Sequence, residues 1–211
     1  MQVKICGLKD KTMMEAALEA GADYVGLVFF EKSPRHVSLA LAAELAELAR
    51  SRAKIVLLMV NPEDKSLQRA VETVKPDYIQ LHGSESPARV AAIASLIKLP
   101  LIKAIGVHNA ADAAAADEYE AAALILFDAK ADPALHELPG GNGIPFDWTA
   151  LKGQKEKRDF MLSGGLTAET VRAAINLTKA PMVDVSSGVE SAPGVKDAEL
   201  IRQFIAAAKT A

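Results

Sequence analysis

Cys6 is the only cysteine in the chain; it closes a short apolar run, "VKIC", and is followed by Gly7. A lone cysteine is more often a small buried hydrophobe than a catalyst. As a thiolate it can also take up a proton, and its ordinary pKa of about 8.5 lies close to working pH. Asp128 has the complementary character, because it ends the strongly apolar run "ALILFD". A carboxyl group drawn out of water holds its proton closer to neutrality, which suits a general acid. A loop cap is the plainer reading of such an aspartate. Two glycine-rich stretches, "LSGG" at 162–165 and "VSSG" at 185–188, follow later apolar runs. Glycines let backbone N–H groups approach a phosphate closely, although they also simply turn strands into helices. The four histidines, His36, His82, His108 and His136, show no metal-ligand spacing. His36 and His136 read as loop residues. His82 ends a short strand and can either reach a site or serve as a hydrogen-bonded structural group.

These residues need elements to position them. Apolar runs of strand length recur eight times: "VKIC", "YVGLVFF", "KIVLLMV", "YIQL", "LIKAIGV", "ALILFD", "FMLS" and "MVDVSS". Helical spacing lies between them. Leu67, Ala70, Val71 and Val74 make one stripe, and Val90, Ile93, Ala94 and Ile97 another. Val171, Ala174 and Ile175 repeat the pattern, as do Ile201, Phe204, Ile205 and Ala208. Asn61-Pro62 and Ser86-Pro87 read as helix starts, and Asp10, Asn109, Thr167 and Asp197 as further N-caps. Strands alternating with helices predict an α/β fold, a single-domain (β/α)8 TIM barrel over residues 1–211. An open doubly wound sheet fits less well, since no G-x-G-x-x-G follows the first strand. The segment 129–148 is long for a loop in such a fold and reads as functional.

Barrels of this kind carry their sites at the C-terminal strand ends. That rule selects Cys6, Arg35, His82, Asp128, Gly164 with Gly165, and Ser186 to Gly188. Strand parity puts Lys4 with Cys6, Gln80 with His82, and Asp184 with Ser186 on inward faces. Lysines within a parallel sheet are costly unless paired, so Lys4 and Lys103 both point to a charged site. Strands one and eight neighbour each other in a closed barrel, so Asp184 is expected to pair with Lys4 and to let it bias Cys6 toward thiolate. Gly7 is expected to let a ligand approach the thiol, and Trp148 to pack under the long loop.

The bulk composition narrows the classes further. The net charge is −3 and half of the residues are hydrophobic. No basic footprint for nucleic acid is present. No apolar run approaches a membrane span, so no membrane partner is expected. No disulfide is possible within the chain and no signal-like leader is read, so a cytoplasmic protein is expected.

The motifs "KICGL", "GADYVGLVF", "KSPRHV", "QLHG", "FDAK", "GGNGIPFDW", "LSGGL" and "VDVSSGVE", in this order along the chain, resemble those of the phosphoribosylanthranilate isomerase family. The resemblance covers essentially the whole length. It implies an Amadori rearrangement of N-(5-phosphoribosyl)anthranilate to a 1-deoxyribulose product, in tryptophan biosynthesis, without metal or other cofactor. It implies Cys6 as general base, Asp128 as general acid and Arg35 as holder of the anthranilate carboxylate. His82 and Asp184 are further expected substrate-site residues. Phosphate contacts are implied at Gly164, Gly165, Ser187 and Gly188. A monomer or a homodimer is expected. Two other readings are a metal-dependent sugar-phosphate epimerase, for which inward His and Asp ligands are lacking, and a non-catalytic sugar-phosphate binder, which needs neither Cys6 nor Asp128.

Overall fold

Eight runs of β-branched and aliphatic residues form parallel strands because both of their faces are covered. The structure, a computed structural model, describes residues 1–130 and 146–211. The strands are β1 (Gln2–Cys6), β2 (Tyr24–Val28), β3 (Lys54–Met59), β4 (Tyr78–Leu81), β5 (Leu101–Val107), β6 (Leu124–Ala129), β7 (Phe160–Leu162) and β8 (Met182–Val185). They pair in sequence order, and β8 returns to β1 to close the barrel. Lys4 stands level with Tyr24 of β2 on one side and Asp184 of β8 on the other. The (β/α)8 barrel read from the sequence is therefore the observed fold.

Alternation divides the side chains. Tyr24, Val56, Ile102, Ala104, Leu124, Leu126, Met161 and Met182 fill the barrel interior. The alternate residues, among them Ile5, Leu27, Ile55, Leu57 and Ile79, join the core beneath the helices. The helices are α1 (Lys11–Glu19), α2 (Leu39–Ala49), α3 (Asp64–Val74), α4 (Pro87–Ile97), α5 (Ala110–Ala114), α6 (Gln154–Lys157), α7 (Val171–Thr178) and α8 (Ala198–Lys209). Their stripes are buried as the spacing predicts: Leu67, Ala70 and Val74 in α3, and Ile201, Phe204, Ile205 and Ala208 in α8. No helix among the described residues is long and apolar enough to cross a membrane.

Four of the expected caps hold. Asp10, Ser86, Asn109 and Asp197 each accept a backbone N–H in the first turn that follows. Two do not. Asn61 has φ +45° and turns its side chain onto the Ser84 amide, so α3 starts later, behind Glu63. Thr170, rather than Thr167, is the residue before α7. Two short antiparallel strands, β9 (Glu190–Ala192) and β10 (Val195–Lys196), follow β8 and were not apparent from hydrophobic pattern. His136 and the "GGNGIP" part of its segment lie outside the described residues.

Candidate active site

The C-terminal end of β1 carries Cys6, which is 4% exposed. Its neighbour across the sheet is Gly26, and a Cβ there would come within 2.7 Å of the Cys6 sulfur. A glycine inside an apolar strand thus makes the space for the thiol. Gly7 has φ +81°, and its Cβ direction is filled by Arg35, whose Cδ would lie 2.7 Å away. The glycine thus seats Arg35 across the tip of β1. Burial is the largest influence on the Cys6 thiol and raises its pKa; Lys4 and Lys196 act downward without overcoming it. The expected bias from Lys4 is therefore present in direction, but burial outweighs it.

Lys4 is completely buried and faces inward. Its ammonium contacts Asp184 Oδ1 and Gln80 Oε1, both at 2.8 Å. Burial would lower its pKa, but the charges of Asp184 and Cys6 outweigh that and hold it above the usual lysine value. Ser163 donates its hydroxyl to the other Asp184 oxygen at 3.1 Å. On the far side, Gln80 Nε2 lies 2.8 Å from His82 Nδ1, and His82 Nε2 lies 3.3 Å from Asp128 Oδ2. The second oxygen of Asp128 accepts the Ala129 amide at 2.8 Å. Strand parity puts Lys4, Gln80, His82, Asp128, Ser163 and Asp184 on inward faces of five strands or their ends, and contacts link them into one chain.

At the rim, Arg35 holds Glu190 through Nε at 2.7 Å and Nη2 at 2.8 Å. Lys196 donates to the same carboxylate at 2.7 Å and to the Ser186 carbonyl at 2.8 Å. Burial is the largest influence on Glu190 and acts upward, but Arg35 and Lys196 together outweigh it and hold the carboxyl at about 2. The hairpin of β9 and β10 is what brings these two residues to Arg35. After β7, Gly164 and Gly165 have φ +88° and +63°, left-handed values that favour glycine. Ser187 and Gly188 begin a 3-10 turn after β8. A Cβ on Gly188 would collide with the Leu166 carbonyl, so the loops after β7 and β8 touch there.

One expected site residue lies elsewhere. Lys103 is on the outer face of β5, level with Leu81 of β4, and bonds Glu85 at 2.7 Å beneath the loop after β4. Parity separates it from Lys4, since the adjacent Ile102 and Ala104 take the interior positions. Gln80, Ser163, Glu190, Lys196 and Gly26 are site residues that the motif reading left without a role. Gln80 was legible by parity and Gly26 as a glycine within a strand; the other three needed the tertiary arrangement. Among the described residues, no group of three or more His, Cys, Asp or Glu side chains is placed to hold a metal ion.

The chain is a parallel (β/α)8 barrel with ionisable side chains gathered at its C-terminal rim, the class in which that rim carries the active site. A family model described as N-(5′-phosphoribosyl)anthranilate (PRA) isomerase matches residues 3–207. An N-(5′-phosphoribosyl)anthranilate isomerase of Rhodopseudomonas palustris (strain BisA53) is 54% identical over 210 residues, 99% of this chain and 96% of that protein. A solved phosphoribosyl anthranilate isomerase bound to reduced 1-(o-carboxyphenylamino)-1-deoxyribulose 5-phosphate superposes with TM-score 0.87 at 34% identity, covering 100% of both chains. A monomeric form of the dimeric enzyme of Thermotoga maritima superposes with TM-score 0.86 at 35% identity, again covering 100% of both. The chain belongs to the N-(5′-phosphoribosyl)anthranilate isomerase family.

Proposed function

We propose that Cys6 and Asp128 carry out the isomerisation of N-(5′-phosphoribosyl)anthranilate as general base and general acid. The activity itself, an aldose–ketose isomerisation in tryptophan biosynthesis, follows from the family to which the chain belongs. The observation that carries the residue roles is the buried chain of contacts: Lys4, bonded to Gln80 and through it to His82 and Asp128, also acts electrostatically on Cys6.

Asp128 gives its proton to the furanose ring oxygen, the C–O bond breaks, and an iminium forms at C1′. The Cys6 thiolate then takes the proton from C2′, and the electrons of that C–H bond form the enolamine. Ketonisation moves a proton from the C2′ hydroxyl to C1′, so the sequence is a net isomerisation. Arg35, braced along one edge by Glu190, holds the anthranilate carboxylate with its forked guanidinium. Backbone amides of Gly164, Gly165, Ser187 and Gly188, in the two adjoining loops after β7 and β8, hold the phosphate. Asp184 supports the site through Lys4. The enzyme works in the cytoplasm as a monomer or homodimer, with no nucleic-acid or membrane partner; sedimentation velocity distinguishes the two assembly states.

The test uses substrate made in situ from anthranilate and phosphoribosyl pyrophosphate by the transferase, with loss of anthranilate-type fluorescence as signal. Cys6→Ala and Asp128→Asn are each expected to lower kcat ~10²–10⁴-fold. Wild-type turnover by either folded variant overturns the assignment.

A further inference from the structure

The contacts from Lys4 to Asp128 run in one direction. An ammonium group only donates, so the Gln80 amide must turn its oxygen to Lys4, at 2.8 Å. Its NH2 group then faces His82 Nδ1, also at 2.8 Å. A ring nitrogen that accepts an N–H at that distance carries no proton of its own, so the imidazole proton is on Nε2. Nε2 faces Asp128 Oδ2 at 3.3 Å. We propose that Lys4 and Gln80 lock His82 in its Nε2–H tautomer, which makes His82 a positioning residue that orients Asp128 and is barred from accepting its proton. This rests on the reading of Asp128 as the general acid.

The alternative tautomer shows what the lock prevents. It would set a bare imidazole lone pair against the acid, and the Asp128 proton would be held there instead of being delivered to substrate. With Nε2 already protonated, the Asp128 O–H bond breaks only as a new O–H bond forms on the ring oxygen. The carboxylate left behind accepts the Ala129 amide at 2.8 Å and has the positive end of the His82 Nε2–H dipole facing it at 3.3 Å. His82 keeps one proton throughout. The lock originates far away in sequence, because Lys4 is fixed by Asp184 and Asp184 by the Ser163 hydroxyl. An ion pair between β1 and β8 thus sets the tautomer of a histidine at the end of β4.

The ring can be read directly. Protein labelled with 15N-histidine is examined by NMR at neutral pH, with His82 assigned by its loss in His82→Gln. The expected pattern for wild-type His82 is the Nε2–H tautomer. An Nδ1–H tautomer or a doubly protonated ring overturns the proposal, and this arm needs no destabilised variant. Gln80→Glu supplies a carboxylate that accepts from both Lys4 and His82. It is expected to put a proton on Nδ1 and to lower kcat ~10- to 100-fold with little change in KM. An unchanged tautomer in that variant also overturns the proposal. Finally, His82→Gln retains an N–H group to face Asp128 without a basic nitrogen and is expected to keep kcat on the order of ten-fold above His82→Leu. Equal losses in these two variants count against the lock. Retained turnover in Asp128→Asn would instead remove the acid assignment while leaving the tautomer result standing.

Discussion

Lys4 and Lys103 are both buried lysines on barrel strands, and each holds a carboxylate, at 2.8 Å and 2.7 Å. They differ by one step of strand parity. Lys4 faces into the barrel, where its other contact leads to His82 and its charge acts on the Cys6 thiol. Lys103 faces out, where it also binds the Gly83 carbonyl at 2.7 Å. Its partner Glu85 accepts the Asn61 and Gly83 amides, so this pair ties the loop after β4 to the loop after β3. The same ion pair is thus part of a site in one place and a loop clasp in the other. Which it becomes depends on the groups reached by the remaining donors.

The sharpest test of this difference is Lys4→Met. Removing Lys4 takes away a cation that favours the Cys6 thiolate and leaves Asp184, which disfavours it. The thiol pKa, already raised by burial, moves further up. With Cys6 acting as the proposed base in its thiolate form, the alkaline rise in kcat/KM is expected at higher pH than in wild type, with neutral-pH activity on the order of 100-fold lower. A pH–rate profile checks this, with urea denaturation measured alongside to separate loss of folded protein. An alkaline limb that does not move breaks the contrast between the two lysines.

Lys103→Met is expected to act on stability instead. It leaves a buried Glu85 carboxylate without its cation, which costs about 3–5 kcal/mol in similar pairs. Activity of the folded fraction is expected to stay within about three-fold of wild type, because no donor of Lys103 reaches the barrel mouth. Adding Glu85→Leu removes the stranded charge but leaves the Asn61 and Gly83 amides without their acceptor. Recovery of stability is therefore expected to be partial. Urea midpoints of the single and double variants measure both.

The outcome for these lysines shows how far sequence carries. The barrel was legible because each strand is a bounded apolar run and α3, α4, α7 and α8 each carry a stripe of matching period. The places of Cys6 and Asp128 in the rim were legible because they lie at or one residue before the C-terminal ends of strands, and the Lys4–Asp184 pair because a closed barrel makes β8 the neighbour of β1. Lys103 was misread because the cost of burial was applied without its parity. Asn61 was misread because Asn-Pro suits a helix start equally well when, as here, the asparagine adopts φ +45° and caps a neighbouring loop. Glu190 and Lys196 could not be read, since their strands are three and two residues long and carry no periodic signal. His82 showed its position but not its tautomer, which depends on a glutamine oriented by a lysine on another strand.

Lys196 stands between the two cases and gives the smallest expected effect. Like Lys4 it lowers the Cys6 thiol pKa from nearby; like Lys103 its donors go to a carboxylate and a loop carbonyl. Its carboxylate, Glu190, is held at about 2 by Arg35 and Lys196 against the upward pull of burial. A carboxyl whose folded-state pKa is depressed contributes stability above its unfolded value of about 4.3, and that contribution is lost as pH falls through the folded value. Glu190→Gln keeps the shape and removes the charge, so it is expected to cost roughly 2–3 kcal/mol at pH 7. The gap to wild type should close between the unfolded carboxyl value and about 2, the pKa of Glu190 in the folded protein. Urea denaturation repeated at pH steps through that window measures the closure. If the gap persists unchanged to the acid end, Glu190 holds Arg35 by shape and packing; if it closes, charge organises the rim as it organises the interior around Lys4.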